Sequence, residues 1–321
     1  MLQEVCSYTV GLNNFTYIDL KMKFNILDLI NRDRFYATIS DNLREEIKSK
    51  IIYLKKKDII EKNNISRSTL KRILTIKNYW ANITTIFTLC ENLKINSEYV
   101  RKNIEKIKTK DSFSTSTKFI TINEELARVT GHLLCDGGIH INEKEGKLRI
   151  FYVNNNSKLL HSFREDVKSI FPGVKIYYRK REDRGDELWL PTTIGSILFS
   201  LFDMYNCKFR RVPKFIFNAK YNEKCAFLQA VFDDEGTISV EKYNIVLSVH
   251  NKELLTDFRN ILQHIGINSS QIKLIVPKNR SRMYRFSIYG KNNILKFNEL
   301  VSSSHSLKLK KLKLLVSKYC G

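Results

Sequence analysis

From Leu12 to Thr130 the chain contains no glycine and no proline, and its only four prolines stand at 172, 191, 213 and 277. Both residue types punctuate turns, so their absence predicts a mostly helical first third. Acid is scarce as well: 33 Asp and Glu stand against 55 Lys and Arg, for a formal charge of +22. Such an excess repels itself in the compact state, and a polyanionic partner, nucleic acid first, is the reason to carry it. The six cysteines, at 6, 90, 135, 207, 225 and 320, include no C-x-x-C pair. That spacing argues against a zinc site or a disulfide frame and reads as reduced thiols. No apolar run approaches the roughly 18 residues of a membrane helix, and the N-terminus lacks a basic-then-apolar leader. A soluble, cytoplasmic and nucleoid-associated protein without a membrane partner is the expectation.

A length of 321 residues suits two or three domains. A polar run, Asp111–Thr117 (DSFSTST), follows the glycine-free third and reads as a linker. Residues 1–115 are therefore expected to be an all-α domain. Within it, Ile59 and Ile60 begin a short helix, Asn63-Asn64 breaks it, and Ser66 is a good N-cap for the next. That second helix turns Leu70, Ile73 and Leu74 inward and leaves Arg67, Lys71 and Arg72 outward. The pattern reads as a helix-turn-helix whose second helix could enter a major groove. A plain helical bundle with exposed charges is the blander possibility.

An internal repeat fills the rest. Asn156-Ser-Lys-Leu-Leu-His-Ser-Phe-Arg164 returns 95 residues later as Asn251-Lys-Glu-Leu-Leu-Thr-Asp-Phe-Arg259. Each copy begins an amphipathic helix, burying Leu159, Leu160, Phe163 and Val167 in the first and Leu254, Leu255, Phe258 and Leu262 in the second. A pair of β-rich runs precedes each: 139–142 with 147–153, and 237–240 with 245–249. Two repeats are expected, over 116–218 and 219–321, each an antiparallel sheet with helices on one face, making the whole α+β.

Each repeat opens with a helix that ends in an acid followed by glycine. The first is Val129-Thr-Gly-His-Leu-Leu-Cys-Asp136-Gly137; the second, 99 residues on, is Leu228-Gln-Ala-Val-Phe-Asp-Asp-Glu235-Gly236. These segments resemble the paired motifs of the single-chain LAGLIDADG homing endonucleases. The second keeps seven of nine positions by residue type, while Thr130, His132, Leu134 and Cys135 depart from the pattern in the first.

The resemblance implies two motif helices packed side by side through Gly131 and Ala230, with Gly137 and Gly236 allowing a sharp exit into strand. It also implies that Asp136 and Glu235 share one centre, where carboxylates repel and a hard divalent ion such as Mg²⁺ fits. Lys308, with Lys208 as its first-half counterpart, matches the family's basic residues near the metals. Asp233 matches a structural position. The implied activity is metal-dependent cleavage of both strands of a long asymmetric DNA target by a monomer.

Family members lay their sheets in the major groove. Alternation in Lys175–Arg181 puts Lys175, Tyr177, Arg179 and Arg181 on one strand face. Lys278, Arg280, Arg282 and Arg285 crowd the comparable region of the second half. Two other functions share this basic surface: a DNA-binding regulator on a scaffold that no longer cleaves, and a maturase that binds intron RNA.

Overall fold

The computed structural model describes residues 22–110, 112–142, 147–182, 184–202, 211–276 and 281–320. The first part runs β1 (Lys23–Asn25), α1 (Ile26–Leu29), β2 (Phe35–Ile39), α2 (Asp41–Ile51), α3 (Lys56–Asn63), α4 (Arg67–Thr75), β3 (Ala81–Asn82), α5 (Ile83–Asn92), α6 (Ser97–Asn103) and β4 (Ile104–Thr109). The all-α expectation for 1–115 is corrected here: β2 lies between β3 and β4 in an antiparallel three-stranded sheet. Glycine is not needed at the turns after α3, α4 and α5 because Asn64, Asn78 and Lys94 take left-handed conformations there, with φ of 47°, 62° and 55°. Asparagine tolerates that region because its short polar side chain bonds locally. The expected helix pair around Ser66 is present. α3 ends on the left-handed Asn64, and Ser66 Oγ accepts the Thr69 N–H at 3.0 Å to cap α4. Ile59, Leu70 and Ile73 are buried, and Arg67, Lys71 and Arg72 are exposed.

The boundary at 115/116 is not a clean break. After β4 the chain enters β5 (Phe119–Thr121), which pairs antiparallel with β1 from the start of the described chain. Thr109 also donates its N–H to Thr193 Oγ1 at 2.9 Å. The polar run links two parts that also hold each other by a strand pair and a buried hydrogen bond, which composition alone does not reveal.

The first repeat continues with α7 (Glu124–Cys135), β6 (Gly137–Asn142), β7 (Lys147–Asn154), α8 (Ser157–Ile170), β8 (Tyr177–Arg179), β9 (Asp186–Trp189) and α9 (Thr192–Phe202). The second has α10 (Lys214–Phe217), α11 (Tyr221–Glu235), β10 (Gly236–Ser239), β11 (Asn244–Val249), α12 (Lys252–His264), β12 (Lys273–Ile275), β13 (Met283–Tyr289), α13 (Lys291–Leu300) and α14 (Ser306–Cys320). Their antiparallel sheets share one order, β6-β7-β9-β8 and β10-β11-β13-β12. Asn156 and Asn251 cap α8 and α12, and the expected apolar faces of both helices are buried. The result is α+β: two like sheets, helices on their inner faces, and α7 packed on α11 between them. Among the described residues no helix is long and apolar enough to cross a membrane. Cys90 and Cys225 are buried and, with Cys135, carry no disulfide.

Candidate functional site

Helices α7 and α11 approach closely enough that one side chain is excluded. A Cβ added at Gly131 would stand 2.7 Å from the Phe227 carbonyl oxygen and 2.8 Å from the Ala230 Cβ. The structure brings Gly131 and Ala230 together at this helix contact. Gly137 and Gly236 are required for a different reason than a left-handed cap. Gly236 has φ −77°, an ordinary value, but a Cβ there would meet Phe232 O at 2.5 Å. One at Gly137 would meet Leu133 O at 2.4 Å. Each strand leaves its helix so sharply that it folds back against the last turn, and only glycine fits.

This packing places Asp136 at the end of α7 and Glu235 at the end of α11 within electrostatic reach of each other. Burial pushes the Asp136 carboxyl up to about 7, and the charges of Asp234 and Glu235 add to the rise. Burial likewise raises Glu235, again with help from Asp234. A site so loaded with negative charge at two helix C-termini favours a cation. The donors are hard carboxylate oxygens, as Mg²⁺ prefers. Among the described residues no group of three or more His, Cys, Asp or Glu side chains is placed to hold a metal ion. An ion held by Asp136 and Glu235 would thus complete its shell with water and phosphate oxygens, which suits Mg²⁺ and its reluctance to shed water.

Asp234, to which the motif gives no role, is the centre of a buried polar network. Its side chain is fully buried; it lies 2.9 Å from His132 Nδ1 and accepts the Tyr152 hydroxyl at 2.8 Å. Asn154 Nδ2 lies 3.2 Å from Asp234, 3.2 Å from Asp136 Oδ2 and 3.0 Å from the Tyr152 oxygen, two protons among three acceptors. Burial alone would lower the His132 pKa, but the adjacent Asp234 outweighs it and holds the imidazole above its ordinary value. His132, one of the departures from the motif pattern, is the buried partner of an acid on the other helix. A polar residue inside an apolar packing motif needs such a partner, and that was the available sequence signal.

Lys308 lies beneath the end of α11. Its Nζ donates to the carbonyls of Phe232, Asp233 and Asp234 at 3.1, 2.6 and 3.2 Å. Three acceptors engage all three ammonium protons. Lys308 therefore offers a fixed positive field to the acids and has no free proton for water or a leaving group. Lys310 is exposed. Asp233 is structural: it accepts from Ser303 Oγ and from the backbone N–H groups of Ser304 and His305, tying the segment before α14 to α11. Lys208, Lys278 and Arg280 lie outside the described residues.

Tyr177, Arg179 and Arg285 are exposed on the strands, and Lys175 and Arg282 are exposed just before β8 and β13. Arg181 is corrected: with Arg184 it is committed to Glu187, whose side chain is fully buried beneath them, at 3.0 and 2.7 Å. Sequence reasoning missed an outward aromatic row. Trp189 pairs across the sheet with both Phe151 and Tyr177, and the Phe151 and Trp189 rings stack at 4.5 Å.

Replication factor C small subunit of Methanocaldococcus jannaschii is 27% identical over 293 residues, covering 89% of this chain and 15% of that protein. The protein of the same name from Thermococcus kodakarensis is 26% identical over 239 residues, 74% of this chain and 26% of its own length. This chain spans only 12% to 26% of the curated relatives it matches. Among solved structures, I-DmoI in complex with DNA and Mn is similar at 16% identity and TM-score 0.44, over 56% of this chain and 97% of that one. The homing endonuclease I-WcaI bound to its DNA recognition sequence is similar at 20% identity and TM-score 0.40, over 59% and 87%. Residues 222–302, from the first turn of α11 to just past α13, match the family model of the LAGLIDADG-like domain.

Proposed function

We propose that the chain is a metal-dependent, double-strand DNA endonuclease of the two-motif LAGLIDADG homing type. The observation that carries this reading is the pairing of Asp136 and Glu235. Each ends one of two helices packed through Gly131 and Ala230, and each is followed by a glycine that nothing larger can replace. Asp136 and Glu235 hold the divalent ion, Mg²⁺ in this proposal, which when bound polarises the phosphate and activates water. Asn154 orients the Asp136 carboxylate through its amide. Lys308 supplies fixed positive charge beneath Glu235. Lys175, Tyr177, Arg179, Arg282 and Arg285 take the DNA backbone and base edges, and Arg67, Lys71 and Arg72 on α4 add contacts from the first part.

The test is incubation of the full chain with a randomised duplex library, with Mg²⁺ and with EDTA. Cleavage to short 3′ overhangs in Mg²⁺ alone is the expected outcome. Tight specific binding without any cut in either condition would replace the nuclease with a DNA-binding regulator. Preference for structured intron RNA over every duplex would replace it with a maturase.

A further inference from the structure

The connection between α2 and α3 holds three adjacent apolar side chains in water. Ile52, Tyr53 and Leu54 are 77%, 87% and 48% exposed. Contiguous exposed apolar groups mark an interaction surface. Around them the sequence places Lys48, Lys50, Lys55, Lys56 and Lys57, with no acid between residues 47 and 57. Lys48, Lys50 and Lys57 rest on Glu45, Glu46 and Glu61 at 2.6, 3.9 and 3.8 Å, all on the surface. Exposed pairs of this kind are weak and yield readily to a stronger anion.

The tip also has a defined place relative to α4. Lys77, just beyond α4, lies 3.4 Å from Asp41 at the start of α2, and Arg44 Nε, one turn on, donates to the Ile73 carbonyl at 3.1 Å. The two helices thus run in opposite directions. The far end of α2, with its apolar tip, points toward the start of α4, where Arg67 opens an exposed basic face continued by Lys71 and Arg72.

We infer that Ile52-Tyr53-Leu54 is an apolar wedge that inserts between base steps of duplex DNA, flanked by lysines on the neighbouring phosphates. The inference rests on the DNA-binding reading above and extends it. Proteins that kink a duplex use this combination of an aliphatic or aromatic wedge and surrounding cations. Charge complementarity favours DNA over a protein partner, because the tip is surrounded by lysines in sequence and runs toward the end of α4 that carries the exposed Arg67.

The experiment uses the full chain and a mixed-sequence duplex carrying scattered 2-aminopurine, whose fluorescence rises on unstacking. The variants are Ile52→Ser with Tyr53→Ser and Leu54→Ser together, and separately Lys55→Gln with Lys57→Gln; circular dichroism checks that both fold. Wild-type binding is expected to raise the fluorescence. The serine variant is expected to lose that rise and bind about tenfold or more weakly. Its dependence on salt is expected to match wild type, since no charge is removed, whereas the lysine variant becomes shallower by about 0.9 per lost phosphate contact. A serine variant with wild-type affinity and fluorescence overturns the wedge while leaving the endonuclease reading standing. A wild-type protein that self-associates without DNA, and stops doing so in the serine variant, makes the tip a protein interface and overturns it too. A wild-type protein that binds no duplex in any salt overturns both readings.

Discussion

Replacing Gly131 by alanine sets two effects of opposite sign against each other. Alanine is the better helix former, a gain of about 1 kcal/mol in a helix interior. The new methyl, however, would lie 2.7 Å from a backbone oxygen of α11 and 2.8 Å from the Ala230 methyl. The oxygen belongs to Phe227, in the middle of a buried helix, and cannot swing aside as a flexible side chain would. Forcing extra volume into a packed core costs about 1–3 kcal/mol, and the upper part of that range applies where the obstacle is backbone. Gly131→Ala is therefore expected to lose about 1–2 kcal/mol in a urea titration, as a lower midpoint with an unchanged slope. Adding Ala230→Gly removes only the second of the two clashes, so it should not restore stability. Cleavage is expected to fall further than stability, because a displacement of about 1 Å between reacting groups costs on the order of a hundredfold. A Gly131→Ala protein about 1 kcal/mol more stable than wild type would show propensity acting alone. The close packing of α7 on α11, and the shared centre built on it, would then be wrong.

Asp136→Asn and Glu235→Gln are each expected to abolish cleavage while leaving duplex affinity nearly intact, since affinity comes mainly from phosphate contacts; a gel-shift and cleavage pair run on the same samples checks this. In EDTA, folded Asp136 holds its proton up to about 7, whereas the unfolded chain releases it near 3.8. Folding stability should thus decline as pH rises between those values and stay low above, and Asp136→Asn should recover up to roughly 4 kcal/mol at pH 8. A wild-type protein whose metal-free stability is flat from pH 4 to 8 contradicts this. His132→Leu strips the buried Asp234 of its charged partner and is expected to cost about 3–5 kcal/mol; adding Asp234→Ala should return part of it in the same urea series. Arg67→Ala with Arg72→Ala should weaken binding and flatten its salt dependence. These substitutions in the full chain are preferable to deleting residues 1–115, because β1 pairs with β5 and Thr109 bonds to Thr193 across that boundary.

What was legible in the sequence is what repeats. Asn156 and Asn251 announced their helices, and the acid-glycine ends announced theirs, because the same physical demand had to be met twice with the same residue types. The strands β2 and β4 were not legible, because the absence of glycine suggested unbroken helix, whereas turns elsewhere in this part rest on Asn64, Asn78 and Lys94 in a conformation usually marked by glycine. The same substitution occurs at Ser302, whose φ of 56° serves the bend between α13 and α14. Arg181 looked like its neighbour Arg179 by alternation, but period-two spacing does not reveal that Glu187 is buried beneath it. What Lys308 bonds to needed the fold: its ammonium reaches the carbonyls at the end of α11, a contact that spacing does not show.

The departures of the first motif from its family pattern acquire a physical meaning when the two halves are superposed residue for residue. The 99-residue offset that maps Asp136 on Glu235 maps His132 on Val231 and Cys135 on Asp234. In the sheets, Gly137 pairs with Tyr152 where Gly236 pairs with Leu247, so Tyr152 and Asn154 correspond to Leu247 and Val249. His132, Asp234, Tyr152 and Asn154 thus each have an uncharged or apolar counterpart in the other half, and only Asp136 is matched by another acid, Glu235. A strictly twofold arrangement could not hold such a network. An Asp at both 135 and 234 would set two like charges together at the helix ends beside Asp136 and Glu235, and one would have to take up a proton. A single chain avoids this by placing the acid on one helix and its histidine on the other. The unusual letters of the first motif are then matched to those of the second. His132 answers Asp234, and the two share a bond of 2.9 Å with no water between. A buried ion pair of this kind holds its place through its contribution to the fold, whether or not the chain cleaves DNA. The irregular first motif accordingly gives no support to a scaffold that has stopped cleaving DNA.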